Sequence, residues 1–161
     1  MLKASKIKTT TATGGRFAIV ASTYNAKYVD AMLRAAQAEL KKAKAESVEI
    51  IRVPGAYEIP VVATKLARTQ LPSLSAIICL GVILRGATTH AEHIGSAVSN
   101  ALMQIQLQHE IPVIHEVLLL ENEQQAKERC LGKEFNRGTE AAQTALEMAR
   151  VIQKLNLSGS L

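Results

Sequence analysis

The chain holds 161 residues, 48% hydrophobic and 20% charged, with a net charge of +5 at pH 7. This length suits one domain with a core of its own, and the charge density is too low for a disordered chain. No apolar run approaches the ~20 residues of a membrane-spanning helix, and the N-terminus lacks the apolar segment of a secretory signal, so a cytoplasmic location is expected. The basic balance, with a pI near 9.4, raises the question of an acidic partner. Lys3, Lys6, Lys8 and Lys154 cluster near the termini, and the aromatics Phe17, Tyr24, Tyr28, Tyr57 and Phe135 form no stacking platform with interleaved arginines. Nucleic-acid binding is therefore not expected, and the charge suits a small phosphorylated substrate. Cys79 and Cys130 are too few for a disulfide framework and have no metal-ligand spacing to another Cys or His.

Residues 1–15 read as an N-terminal arm, residues 16–155 as a single domain and residues 156–161 as a C-terminal tail. Arg16 to Ser22 is short, apolar and β-prone, a buried strand. Tyr28 to Ala43 carries Val29, Met32, Leu33, Ala36 and Leu40 at the three-and-four spacing of an amphipathic helix. Val48 to Val53 alternates as a second strand, and Pro54-Gly55 ends it. Glu58 to Ala67 reads as a helix with Pro60 in its first turn. Ser75 to Leu84 is apolar throughout, a strand covered on both faces, with Cys79 as a small core side chain. Ala91 to His109 places Ile94, Val98, Leu102 and Ile105 on one helical stripe. Val113 to Leu119 is a fourth strand, Glu123 to Leu131 a short helix, and Gly138 to Leu155 a last helix with Ala142, Ala145, Leu146, Ala149 and Ile152 inward.

This alternation predicts an α/β fold: a flavodoxin-like three-layer α/β/α arrangement around a four-stranded parallel sheet. Ligands in such sheets bind beyond the carboxyl ends of the strands, so the strand-to-helix turns carry the information. After the third strand, Gly86-Ala87-Thr88-Thr89 is small, hydroxyl-bearing and helix-opening, which suits an anion, with His90 beside it to move protons. Equally, Thr88 or Thr89 merely caps the helix and His90 is a solvated first-turn residue. After the second strand, Ala56, Tyr57 and Glu58 bring a ring and a carboxylate together. Glu58 either accepts polyol hydroxyls or simply complements the helix dipole. The first turn offers Tyr24 and Asn25, where a tyrosine stacks on a planar ring or faces solvent. Ser22 and Thr23 stand where a phosphoacceptor domain needs acidic residues, which excludes that class. Late in the chain, Arg129, Lys133 and Arg137 gather near Asn136 and Gly138, either as a solvated helix junction or as cations for a phosphate.

Taken together, Pro54-Gly55-Ala56-Tyr57-Glu58-Ile59-Pro60, Gly81-Val82-Ile83-Leu84-Arg85-Gly86-Ala87-Thr88-Thr89-His90, Pro112-Val113-Ile114, Asn136-Arg137-Gly138 and Ala145-Leu146-Glu147-Met148-Ala149 resemble the lumazine synthase (6,7-dimethyl-8-ribityllumazine synthase) family, from about Phe17 to about Ile152. The resemblance implies a transferase of riboflavin biosynthesis. It condenses 5-amino-6-(D-ribitylamino)uracil with 3,4-dihydroxy-2-butanone 4-phosphate and releases phosphate and water, with no metal and no organic cofactor. It assigns Tyr24 and Asn25 to the pyrimidine, Ala56, Tyr57 and Glu58 to the ribityl chain, and Val82 and Ile83 backbone groups to the pyrimidine edge. Gly86, Ala87 and Thr88 cradle the phosphate, and His90 transfers protons. Arg129 reaches the phosphate from a neighbouring subunit, and Arg137 stands where a lysine is usual.

Two stretches depart from the family pattern. Ala91 and His93 replace aromatics after the histidine. His115-Glu116-Val117-Leu118-Leu119 replaces an aromatic, a glycine and a threonine-rich strand end, so that His115 occupies the position that closes over a neighbour's heterocycle. His93 reads as an interface residue. The resemblance also implies a homo-oligomer, a pentameric ring. The absence of an insertion between Arg129 and Gly138 leans towards the sixty-subunit shell of some relatives, and association with riboflavin synthase stays open. Two other readings stay open as well: a flavin- or lumazine-binding protein without turnover, and a container whose role is the shell.

Overall fold

The structure, a computed structural model, describes residues 14–159. The expected arm lies outside the described residues except for Gly14 and Gly15, which precede β1 (Arg16–Ser22). The remaining elements are α1 (Ala26–Lys42), β2 (Ser47–Val53), a 3-10 turn (Ala56–Glu58) running into α2 (Ile59–Thr69), β3 (Ala76–Leu84), α3 (His90–His109), β4 (Val113–Leu120), α4 (Glu123–Cys130) and α5 (Arg137–Ser158). All strand pairings are parallel, in the order β2-β1-β3-β4.

Period-two alternation divides the central strands between two apolar layers. Phe17, Ile19 and Ala21 of β1, with Ile78 and Leu80 of β3, face α1 and α5. Ala18 and Val20, with Ile77 and Cys79, face α2 and α3. A strand buried on both sides must be apolar at every position, as the run in β3 is. β2 lies at the sheet edge, and there Ile50 is exposed. Every apolar position expected to face inward on α1 is buried.

Asn25 adopts the left-handed conformation (φ 56°, ψ 40°), and its carbonyl accepts from the Tyr28 and Val29 amides. The left-handed turn starts α1 earlier than its apolar stripe does. At the other end of the chain, α5 continues to Ser158, so the first part of the expected tail is helical. Leu155 to Ser158 contains no helix breaker before Gly159, whose amide donates to the Leu155 carbonyl at 3.0 Å. The first turn of α5 rests on the α1 backbone, since a Cβ at Gly138 would stand 2.0 Å from the Met32 carbonyl oxygen.

The chain leaves β1 towards β2 on one side and reaches β3 on the other. The connections therefore part between β1 and β3, and a crevice opens beyond the carboxyl ends of these strands.

Candidate active site

The crevice is a cavity of about 930 Å³. Tyr24 and Asn25 reach it from the end of β1, Gly55 to Glu58 from the end of β2, and Val82 to Leu84, Gly86, Thr88 and His90 from the end of β3. One face of α3, formed by His90, Ala91, His93, Ile94 and Ala97, makes its remaining wall.

Backbone and side-chain bonds fix the three turns to one another. The Thr23 and Tyr24 amides donate to the Val53 and Pro54 carbonyls at 2.8 and 2.9 Å, which joins the first turn to the second. Asn25 Nδ2 donates to the Val82 carbonyl at 2.7 Å, which joins the first turn to the third. Tyr24 is 74% exposed and Tyr57 64%, so both rings stand at the rim with their faces available to a planar or polyol group. The Gly55 amide donates to Glu58 Oε2 at 2.9 Å, so the carboxylate caps its own turn. The cap holds the carboxylate at the cavity wall.

The third turn is built differently from a simple cap. Thr89 occupies the N-cap of α3 but makes no side-chain capping bond. Its Oγ1 instead lies 3.4 Å from His93 Nε2, while Thr88 Oγ1 accepts weakly from the His90 amide at 3.4 Å. Among the described residues the amides of Gly86, Ala87 and Thr88 have no backbone partner, and they sit at the positive end of the α3 dipole. Arg85 does not compete for an anion here: it pairs with Glu92 at 2.5 Å and with Glu121 at 3.0 Å, bridging the loop to α3 and to the exit of β4.

Ala87 lies between two cavity-lining residues without lining the cavity itself, and His115, Arg129 and Arg137 are also outside it. Arg137 Nε donates to Glu116 Oε1 at 2.7 Å and its second arm pairs with Glu140 at 2.6 Å. Burial pushes the Glu116 carboxyl above its ordinary value, while the Arg137 charge and hydrogen bond pull against that rise. His115 Nε2 lies 2.7 Å from Ser99 Oγ, and its Nδ1 accepts from the Val117 amide at 3.2 Å. Desolvation holds the His115 imidazole below its ordinary pKa. Arg129 on α4 makes no ion pair among the described residues, though its charge also lowers the Glu116 carboxyl.

His93, read from sequence as an interface residue, lines the cavity, and Leu84, Ile94 and Ala97 join it there. Their signal was present: His90, His93, Ile94 and Ala97 follow the three-and-four spacing of one helix face. Glu116 and Ser99 carried no such signal, because each is defined by a partner distant in sequence.

The family profile of 6,7-dimethyl-8-ribityllumazine synthase matches residues 14–153. The protein of that name from Xylella fastidiosa (strain 9a5c) is 40% identical over 144 residues, which cover 88% of this chain and 92% of the relative. Those from Xanthomonas euvesicatoria pv. vesicatoria (strain 85-10) and Xanthomonas axonopodis pv. citri (strain 306) are 39% identical over 145 residues, covering 89% of this chain and 93% of each relative. A match of this extent embraces every element from β1 through most of α5, the cavity-forming turns included, and the chain belongs to the 6,7-dimethyl-8-ribityllumazine synthase family.

Proposed function

We propose that this transferase condenses 5-amino-6-(D-ribitylamino)uracil with 3,4-dihydroxy-2-butanone 4-phosphate and releases phosphate and water. The observation that carries the reading is the convergence, on one cavity, of three unlike surfaces: an aromatic rim at Tyr24, a carboxylate at Glu58, and an amide-rich loop beside His90. The pyrimidine lies against Tyr24 and the Asn25–Val82 bridge, with Val82 and Ile83 offering main-chain groups to its edge. The ribityl hydroxyls meet Ala56, Tyr57 and Glu58. The phosphate sits on Gly86, Ala87 and Thr88, where free amides and the helix dipole stabilise an oxyanion.

In this placement His90 lies between the phosphate loop and the reacting carbons. Imine formation requires a proton on the departing hydroxyl, elimination of phosphate requires one removed from carbon, and ring closure requires further transfers. One imidazole near neutral pH accepts and donates in turn. Much of the remaining acceleration comes from holding two reactants in one cavity.

The cavity is completed by a neighbouring copy. His115 projects towards α3 on the edge strand β4, away from the chain's own cavity, and Arg129 likewise stands outside it. A heterologous contact that brings these groups to the next subunit's cavity closes into a ring, as a pentamer does, and rings of this kind can build a shell. Free thiols at Cys79 and Cys130 suit the reducing cytoplasm.

The test is spectroscopic detection of the lumazine from the two purified substrates, with sedimentation of the same sample. Product from an assembled species supports the reading. Ligand binding without product would replace it with a binding role, and turnover by a monomer would remove the shared site.

A further inference from the structure

β4 is an edge strand, and an edge strand leaves amides without a sheet partner. His115 covers one of them by folding along its own strand, where its Nδ1 accepts the Val117 N–H at 3.2 Å. With Nδ1 acting as acceptor, the neutral ring carries its proton on Nε2. That nitrogen is 2.7 Å from Ser99 Oγ on α3, so the imidazole donates and the serine accepts. This is the reverse of a Ser–His pair that activates a nucleophile, in which the hydroxyl donates to the ring. Ser99 is therefore not primed for attack. Both ring nitrogens are fixed, one by the strand and one by the helix, and the ring can no longer turn about its bond to Cβ. The residue as a whole is exposed, which leaves ring surface free for a partner.

We infer that Ser99 is a positioning residue that clamps His115 in the Nε2–H tautomer, so that the imidazole presents a fixed face to the flat heterocycle in a neighbouring copy's cavity. The inference rests on the functional reading above, in which His115 meets the neighbour's pyrimidine. An imidazole is a smaller platform than a benzene ring, and unclamped it would spend part of its stacking free energy on being ordered. The clamp also opposes protonation, because a proton on Nδ1 would face the Val117 N–H. Burial acts in the same direction by holding the ring below its ordinary pKa.

The experiment is steady-state kinetics on the assembled enzyme, at protein concentrations where sedimentation gives the same species for every variant. Loss of one neutral hydrogen bond predicts that Ser99→Ala raises KM for the pyrimidine substrate about threefold to tenfold, with kcat and KM for the phosphate substrate little changed. Ser99→Thr, which keeps the hydroxyl, restores the wild-type KM. In a His115→Phe background, Ser99→Ala has no further effect. Nitrogen-15 NMR of the ring gives a single Nε2–H tautomer in the wild type and a mixture in Ser99→Ala. If His115→Ala raises KM for the pyrimidine while Ser99→Ala leaves both KM and tautomer unchanged, the positioning role is refuted and the functional reading stands. If His115→Ala leaves that KM unchanged, the reading of His115 as a substrate contact fails, and the inference falls with it.

Discussion

Asn25 donates its side-chain amide to the Val82 carbonyl at 2.7 Å, spanning the gap between the β1 and β3 exits where the sheet connections diverge. Asn25 does two things at once, since it also holds the left-handed backbone that opens α1. Substitutions separate the two. Asn25→Gly keeps the backbone freedom and loses the bridge, at about 1 kcal/mol. Asn25→Ala loses both, at about 2–3 kcal/mol. Asn25→Asp turns an acceptor towards an acceptor and weakens pyrimidine binding most per unit of stability lost. Urea midpoints and KM for the pyrimidine, measured side by side, give this order or contradict it.

His90→Ala should reduce kcat by about 100-fold, the lower end of what a positioned acid–base group supplies, because an exposed site lets water serve in part. Arg129→Ala should act mainly on KM for the phosphate substrate. If the two residues serve one site from different copies, dissociating and reassembling an equal mixture of the two variants recovers about a quarter of wild-type activity, since about one junction in four pairs an intact His90 with an intact Arg129. No recovery on reassembly would place both groups in the same copy's site.

Glu116 is 7% exposed and holds Arg137. Its carboxyl lies above its ordinary value of 4.5, chiefly through burial. A raised carboxyl favours folding most when protonated: that contribution is full below the unfolded value and is lost as pH rises through the folded one. Glu116→Gln removes this dependence and retains an acceptor for Arg137 Nε. The stability of the wild type relative to Glu116→Gln should therefore fall as pH climbs from about 4 to neutrality. Glu116→Ala leaves Arg137 with Glu140 alone and costs about 1–3 kcal/mol, moderated because Arg137 is partly solvated. Denaturation midpoints across that pH range check both.

Both cysteines are fully buried, and burial pushes the Cys79 thiol up to about 12 and Cys130 up to about 11. Neither should react with a water-soluble disulfide reagent in the native protein at pH 8, and both should react once the chain is denatured. Rapid labelling of Cys130 in the native state would mean that the α4–α5 junction opens readily.

Most of the fold could be read from periodicity. The bounds of β1 coincide with those expected, the α1 stripe buries every side chain its spacing names, and the α3 stripe buries Val98, Leu102 and Ile105 while Ile94 is half-buried at the cavity wall. The carboxyl-end turns were legible because a parallel sheet sends its ligands there, and Tyr24, Asn25, Ala56, Tyr57, Glu58, Gly86, Thr88 and His90 line one cavity, while Ala87 and Thr89 do not. What escaped was pairing across sequence. Asn25 and Val82 stand 57 positions apart, Glu116 and Arg137 21, and Ser99 and His115 16. No local pattern encodes such contacts, for they exist only once strands and helices have docked. The late arginines read as one cluster, yet Arg137 is engaged with Glu116 and Glu140 while Arg129 makes no ion pair among the described residues. Sequence proximity does not tell which cation a buried carboxylate will take.

At Gly138 two helices meet main chain to main chain, with no side chain between them to yield. A methyl group there has nowhere to go, and α5 would have to pivot away from Met32. The arm of that lever is Arg137, the adjacent residue, whose grip on Glu116 joins the rear helical layer to the rim strand. A single small substitution in the back of the molecule would therefore be felt at the front, as a loosened β4 and a displaced His115 one residue from Glu116.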